Sequence, residues 1–312
     1  MTDPLVGLAM ASVATGAVWW LWRRLARADE TLNRAIAALR FEGDPDPPSW
    51  AGGEVDGTPL VLQVVDAGIE LRGPVEARTS AVTFDGEVQW RSPVDPVLGE
   101  HAFDAVVRIR TVDELRLLAA LDPSTRDAVA AAVRAGARWT GTGWVAVFAR
   151  EALAVDEVVA AARAIGRAHR CLARSRARPP IAAVVERLQH DRAVGVRRRA
   201  LAVLLRHNAV TVERVRPSLG DIDPELRITA AEALGAWDVL LEVVRTGTRT
   251  WRVRAATTLA RVAVPIGPDD RAAVRDVLLA ALDDPEVGAV AAEGLGALAT
   301  PEVLPRLVEV AR

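Results

Sequence analysis

The feature that most limits how this chain can fold is an internal repeat in its carboxy-terminal half. The segments DPELRITAAEALGAW (residues 223–237) and DPEVGAVAAEGLGAL (residues 284–298) are identical at nine of fifteen positions without a gap. A shorter motif occurs four times: an apolar residue is followed by arginine (glycine in the last copy), and alanine and leucine lie four and eight residues after the apolar one. Because offsets of four and eight lie on one helix face, each copy predicts a helix with one apolar stripe.

An amphipathic helix precedes each copy, at residues 181–190, 210–219, 238–246 and 269–282, so each copy is the second half of a helical hairpin. One hairpin cannot bury its own stripe, and neighbouring hairpins must therefore stack, with residues 301–312 closing the end. The positions expected to mediate this stacking are Arg197, Ala200, Leu204, Asp223, Arg227, Ala230, Leu234, Arg252, Ala255, Leu259, Asp284, Ala291 and Leu295.

At these residues the sequence resembles the HEAT-repeat family, especially its short bacterial form related to the phycobilisome-lyase repeats. The resemblance implies an α-solenoid over residues 176–312, with about four repeats and a capping helix, that acts as an interaction scaffold for a protein partner. In that family an aspartate before the second helix and an arginine inside it link adjacent repeats. Asp223 and Arg227 match this scheme, whereas the last copy keeps Asp284 and has Gly288 in place of the arginine.

The amino terminus carries a different signal. Residues 4–22 contain no charge, and as a helix they would span about 28 Å, close to the thickness of a bilayer core. Tryptophans cluster at one end of this stretch and arginines follow at once, which predicts a transmembrane anchor over residues 1–27 with the body on the cytoplasmic side of the cell membrane. A cleaved signal peptide and a buried helix remain as alternatives, although the start lacks the positive charge of a signal peptide.

Residues 28–49 predict a juxtamembrane helix and a proline-rich linker, and residues 50–175 predict a small α+β domain. Strands are expected at 58–65, 68–73 and 102–111, hairpins at 82–90 and 138–150, a helix broken at Asp122-Pro123, and a long helix at 155–175. The predicted fold class is α-dominated and multi-part: an N-terminal transmembrane helix, a small α+β domain and a C-terminal α-solenoid of HEAT-type helical hairpins.

Charge is strongly segregated although the net charge is only −2. Residues 158–216 carry 14 arginines against 3 acids, whereas residues 29–157 carry 12 against 22. The candidate contacts for a partner or an anionic surface are Arg163, Arg167, Arg170, Arg174, Arg197, Arg198 and Arg199. They could pack beside the acidic middle domain, lie against anionic lipid or bind nucleic acid phosphates, but no aromatic residues interleave with them and nucleic acid is disfavoured.

The sequence contains no recognisable catalytic or metal-binding motif. None of the four histidines forms a metal-binding motif with a second ligand at a spacing of four, the single cysteine, Cys171, excludes an intramolecular disulfide, and there is no lysine for a phosphate loop. We therefore expect no catalytic site, no cofactor and no metal, and a membrane-tethered scaffold that holds a protein on its repeats. The alternatives are a ligand-binding or enzymatic module at 50–175, with the repeats accessory, and binding of nucleic acid or anionic lipid by segment 158–216.

Overall fold

The computed structural model describes residues 30–43, 50–65, 68–74, 83–85, 97–111, 113–140, 143–149, 154–262, 268–298 and 303–310. The chain is mainly helical and forms two compact units, of which the first ends at Ala183 and the second begins at Val184. This division falls eight residues after the boundary expected from the sequence. The two units are described separately.

The first unit contains one antiparallel sheet. Its strands are β1 (Glu42–Gly43), β2 (Trp50–Val55), β3 (Thr58–Val65), β4 (Gly68–Arg72), β5 (Thr83–Asp85), β6 (Arg108–Arg110), β7 (Ala137–Trp139) and β8 (Trp144–Phe148). Across the described residues their spatial order is β1-β2-β3-β4-β8-β7-β5-β6. Strands far apart in sequence therefore pair at the centre, where β4 meets β8.

Alternation along the strands gives the sheet one buried and one exposed face. In β3, Leu60 and Leu62 are buried while Val61 and Gln63, which alternate with them, are exposed, as the period of two in a strand requires. The turn from β2 to β3 is Asp56-Gly57, with φ of 51° and 74°. Positive φ at both residues is the geometry of a type I′ turn, which matches the twist of the two strands it joins.

Helices account for the rest of the first unit: α1 (residues 30–39), α2 (His101–Asp104), α3 (Glu114–Ala120), α4 (Pro123–Arg134) and α5 (Val155–Arg176). Helix α5 packs against strands β2, β3 and β8 and against α3 and α4. Gly166 permits this approach, since a Cβ atom there would lie 2.8 Å from the carbonyl oxygen of Val55. Trp139 and Trp144 are fully buried and meet edge to face, with ring centroids 5.5 Å apart.

Several predictions for this region are confirmed, among them the strands at 58–65 and 68–73, the hairpin within 138–150, the helix break at Asp122-Pro123 and the long helix at 155–175. The predicted strand at 102–111 is wrong in its first half, because His101–Asp104 is a helical turn and only Arg108–Arg110 is a strand. The Asp104 carboxylate accepts hydrogen bonds from the backbone N–H groups of Leu98 and Gly99, which stabilises this turn. Most of the hairpin predicted at 82–90 lies outside the described residues.

The second unit is built of helices joined by short loops. They are α7 (Val194–Arg206), α8 (Val212–Val215) with a 3₁₀ turn (Arg216–Gly220), α9 (Pro224–Leu234), α10 (Trp237–Thr246), α11 (Arg249–Val262), α12 (Pro268–Ala281), α13 (Gly288–Leu298) and α14 (Leu304–Val310). Helix α6 (Pro180–His190) crosses the boundary between the units. We call α7, α9, α11 and α13 the second helices, because each carries one copy of the sequence motif.

The second helices contact one another in series: α7 touches α9, α9 touches α11, and α11 touches α13. The preceding helices α10 and α12 also touch, and each packs on the second helix that follows it. The motif alanine of each second helix is fully buried, and at Gly294 even a Cβ atom would lie only 2.9 Å from Ala260 and Leu278. Each hairpin thus buries its apolar stripe against its neighbours.

The fold class predicted from the sequence is wrong as stated, because it counted a membrane-spanning helix among its parts. Within the described residues no helix has both the length and the apolar character needed to cross a bilayer. The 22-residue helix α5 illustrates the reason, since its arginines would have to enter the hydrocarbon layer. The anchor predicted at residues 4–22 lies outside the described residues. The described chain is a mainly helical protein with one antiparallel sheet.

Candidate functional surface of the second helices

Arg197 links two successive hairpins of the second unit. It donates two hydrogen bonds to the Asp221 carboxylate, with Nε–Oδ2 and Nη2–Oδ1 distances of 2.9 Å each. Its Nη1 also donates to the backbone oxygen of Asp191, at 2.9 Å. One guanidinium therefore binds the loop before its own helix and the loop before the next second helix. Such a paired, planar geometry is the strongest form of arginine–carboxylate contact.

The neighbouring pair is formed by Arg198 and Asp223. Asp223 is buried, caps α9 by accepting from the backbone N–H of Leu226 at 2.9 Å, and accepts from Arg198 Nε at 2.8 Å. Burial tends to raise the pKa of Asp223, but the hydrogen bonds from Arg198 and Leu226 outweigh it and leave that pKa below its ordinary value. The pKa of Asp221 is lowered in the same way, with burial opposed by Arg197. Both carboxylates are therefore held ionised.

The same contact recurs further along the unit. Arg252, which occupies the position of Arg197 in its own repeat, donates to the Asp284 carboxylate and to the backbone oxygen of Val244, the latter at 3.0 Å. A backbone hydrogen bond from Glu286 and the bond from Arg252 lower the pKa of Asp284. Arg227 donates to the backbone oxygen of Asp221 at 3.1 Å rather than to Asp223. The segment before the next second helix, Thr246-Gly247-Thr248, has no acidic residue with which Arg227 could pair.

The predicted stacking positions are otherwise placed as follows. Ala200, Ala230, Ala255 and Ala291 have no exposed surface, Leu204, Leu259 and Leu295 are buried, and Leu234 is half-buried at the end of α9. The sequence did not single out Asp191, Asp221 or Glu225, which supply the partners of Arg197 and Arg198. The signal that could have found the first two is the recurrence of aspartate six residues before the motif arginine, at Asp191 and Asp221.

The exposed face of the second helices carries charge that changes sign from one helix to the next. Each second helix, taken together with the turn that leads into it, contributes two like charges seven residues apart. We call these eight side chains the alternating rows: Arg199 and Arg206 for α7, Glu225 and Glu232 for α9, Arg254 and Arg261 for α11, and Glu286, in the turn before α13, with Glu293 for α13. None of the eight is buried.

Ion pairs join the α9 row to the α11 row, and two further arginines outside the rows pair with Glu225 and Glu286. Glu225 is shared between Arg198 and Arg254, with oxygen–nitrogen distances of 2.6 Å and 3.1 Å. Glu232 pairs with Arg261, and Glu286 lies 3.6 Å from Arg249. These side chains keep between about a quarter and three quarters of their surface exposed, so water screens the pairs.

The arginines proposed from the sequence as anionic-surface contacts are divided by the structure. Arg163, Arg167 and Arg174 are exposed on one edge of α5, whereas Arg170 donates to Asp56, with an Nη2–Oδ2 distance of 3.1 Å. Arg174 also donates to the sulfur of Cys171, which is buried. Arg197 and Arg198 bind aspartates within the second unit, and Arg199 is half-buried on α7.

The part of the chain that the structure describes contains no cluster of three or more histidine, cysteine, aspartate and glutamate side chains that could hold a metal ion. No family model, no curated protein and no solved structure matches this chain.

Proposed function

We propose that the second unit is a HEAT-type repeat array that binds a protein partner on the exposed face of its second helices, and that the protein has no catalytic activity of its own. The proposal concerns residues 184–312 and includes no membrane attachment. The observation that carries it is the serial contact of α7, α9, α11 and α13, each of which buries its motif alanine completely. Stacking in series leaves one side of every second helix exposed, and this produces a continuous surface.

Two features of the array support binding rather than catalysis. The partly buried ion pairs Arg197–Asp221 and Arg252–Asp284 hold successive hairpins at fixed positions, so the exposed face has a defined pattern of side chains. The side chains on that face are arginine, glutamate, threonine and alanine, which can recognise a partner by charge and hydrogen bonds. Electrostatic complementarity of this kind gives specificity and fast association.

A photo-crosslinking amino acid at Thr257, which is exposed on α11, tests the proposal in the full chain. The matched control places the same amino acid at Gln63, which is exposed on strand β3 of the first unit. We expect a crosslinked protein from Thr257 that Gln63 does not give, and this protein, once identified and purified, should bind the full chain directly. Equal crosslinking from both positions, or none from Thr257, would contradict the proposal.

A further inference from the structure

The alternating rows indicate what kind of partner segment the exposed face can bind, and this inference rests on the proposed function. Reading along the array, the rows are positive on α7, negative on α9, positive on α11 and negative on α13. A partner that crosses the second helices therefore meets a change of sign at every helix. A partner of uniform charge would be attracted by two rows and repelled by the other two.

The ion pairs of Glu225, Glu232 and Glu286 leave the charges of these side chains available. They are exposed ion pairs, which are worth only about 0–1 kcal/mol each because water screens them and long side chains must be ordered. Exchanging such a pair for a contact with a partner therefore has a small cost. Glu293, moreover, has no ion pair or hydrogen bond within the residues described for α13 and its neighbours.

The distance between rows selects the conformation of the partner. Packed helices lie about 8–10 Å apart, and an extended chain advances about 3.3 Å per residue. One row is therefore reached at about every third residue of an extended segment. Small exposed side chains, Ala202 on α7 and Thr257 on α11, lie between the charges and leave room for a backbone to approach.

We propose that the exposed face of the second helices binds an extended segment of a partner protein in which acidic and basic residues alternate at every third position over about ten residues. Each charge of that segment meets the row of opposite sign. An approximate two-fold arrangement of a second copy would also bring opposite rows together, since reversing the order of four alternating rows inverts their signs. The small side chains between the charges favour a single extended backbone.

Two capped ten-residue peptides of identical composition test this proposal with the full chain. The alternating peptide is Glu-Ser-Ser-Arg-Ser-Ser-Glu-Ser-Ser-Arg, and the blocked peptide is Glu-Ser-Ser-Glu-Ser-Ser-Arg-Ser-Ser-Arg. Fluorescence anisotropy at about 0.02 M salt keeps screening low. The blocked peptide matches two rows and is repelled by two, so we expect it to bind about tenfold more weakly than the alternating peptide.

A charge-swapped variant shows whether the rows cause this preference. Glu232→Arg combined with Arg261→Glu retains an ion pair between α9 and α11, but it brings the net charge of the α9 row and of the α11 row to zero. We expect its thermal unfolding to be close to that of the parent chain. Its preference for the alternating peptide should disappear, so that the two peptides bind about equally well. The single variant Glu293→Gln, which breaks no pair in the described residues, should weaken binding of the alternating peptide by about twofold to threefold.

Equal binding of the two peptides to the parent chain, or an unchanged preference in the charge-swapped variant, would overturn the inference. Salt-sensitive dimerisation in sedimentation velocity, together with no peptide selectivity, would overturn it in favour of a second copy. If Thr257 crosslinks to a partner while the peptides do not differ, the proposed function stands and only the charge pattern of the partner is wrong. If the peptides differ in binding while Thr257 crosslinks to no partner, the charge preference of the exposed face stands and the proposed function is contradicted.

Discussion

The two units differ in how far along the chain their contacts reach. In the first unit, strand β4 pairs with β8, so that Ile69 lies opposite Phe148. In the second unit each helix contacts helices within the same hairpin or the next, and an ion pair such as Arg252–Asp284 joins residues only about 30 positions apart. A sheet in which strands from distant parts of the chain pair is expected to unfold cooperatively, whereas a stack of hairpins can unfold locally.

The largest effect is expected from a substitution in the core of the sheet. Trp144→Ala removes a fully buried indole that packs on Trp139, and we expect it to lower the free energy of unfolding by about 3–5 kcal/mol. All strands of the sheet should lose protection from hydrogen exchange together. The control is Val147→Ala on the same strand, where the side chain is 43% exposed and a change within about 0.5 kcal/mol is expected.

Overpacking a contact between second helices should cost less and act more locally. Ala230→Leu places a larger side chain where Ala230 has no exposed surface, and we expect a loss of about 1–3 kcal/mol. Hydrogen exchange should accelerate in α7, α9 and α11 and remain unchanged in β3. Ala202→Leu, at an exposed position on α7, is the matched control. Equal acceleration throughout both units would show that the second unit does not open locally.

Removing one link between hairpins should have an effect of similar size. Arg197→Met deletes the contacts to Asp221 and Asp191 and leaves a partly buried carboxylate without its guanidinium, which should cost about 1–3 kcal/mol. Chemical denaturation measures this change. Arg245→Met, on an exposed residue of α10, should change stability by less than about 0.5 kcal/mol. Similar losses from both variants would remove the structural role assigned to Arg197.

Acid should affect the second unit through the same aspartates. The pKa values of Asp221, Asp223 and Asp284 are lower in the folded chain than their ordinary value. Their stabilisation is therefore fully present above about pH 4 and is lost as the pH falls through the lowered folded values. Thermal unfolding followed by circular dichroism should show a midpoint temperature that falls between about pH 5 and pH 2. This fall should be smaller in Asp221→Asn than in the parent chain.

The smallest effect on stability is expected for the arginines of α5, of which Arg170 contacts Asp56 and Arg163 is exposed. Arg170→Gln removes a contact to the β2–β3 turn at Asp56 and should cost about 0.2–1 kcal/mol. Arg163→Gln, at an exposed position, should leave stability unchanged within error. Binding of a DNA duplex that weakens steeply with salt and is lost when Arg163, Arg167 and Arg174 are all neutralised would instead support the nucleic-acid alternative.

The helices of the second unit were predictable because their signal is local. Apolar residues at offsets of four and eight, and glycine at a helix end such as Gly235 with φ of 66°, need no knowledge of distant contacts. The partners of the arginines were not predictable in the same way. Which aspartate meets Arg197 depends on how the loop at Asp221 is folded, and the family scheme alone pointed to Asp223 and Arg227.

The first unit shows where local signals are insufficient. Asp56-Gly57 forms the hairpin turn between β2 and β3, although the sequence drew attention to Asp85-Gly86 instead. The glycines of β2 obscured the strand, since glycine is rare in strands. Gly53 is required by a distant residue, because a Cβ atom there would lie 2.5 Å from the ring of Phe41. Only the tertiary contact explains that residue.

The pairing of β4 with β8 has a consequence for how the protein is made. About 80 residues separate Ile69 from Phe148, and a ribosome that adds about 5–20 residues per second needs about 4–16 s to synthesise them. During that interval β2, β3 and β4 have emerged while one edge of β4 still awaits its neighbour, and such an edge can pair with other nascent chains. The helical hairpins that follow face a much shorter delay, so a chaperone that acts during translation should matter most for the first half of the chain.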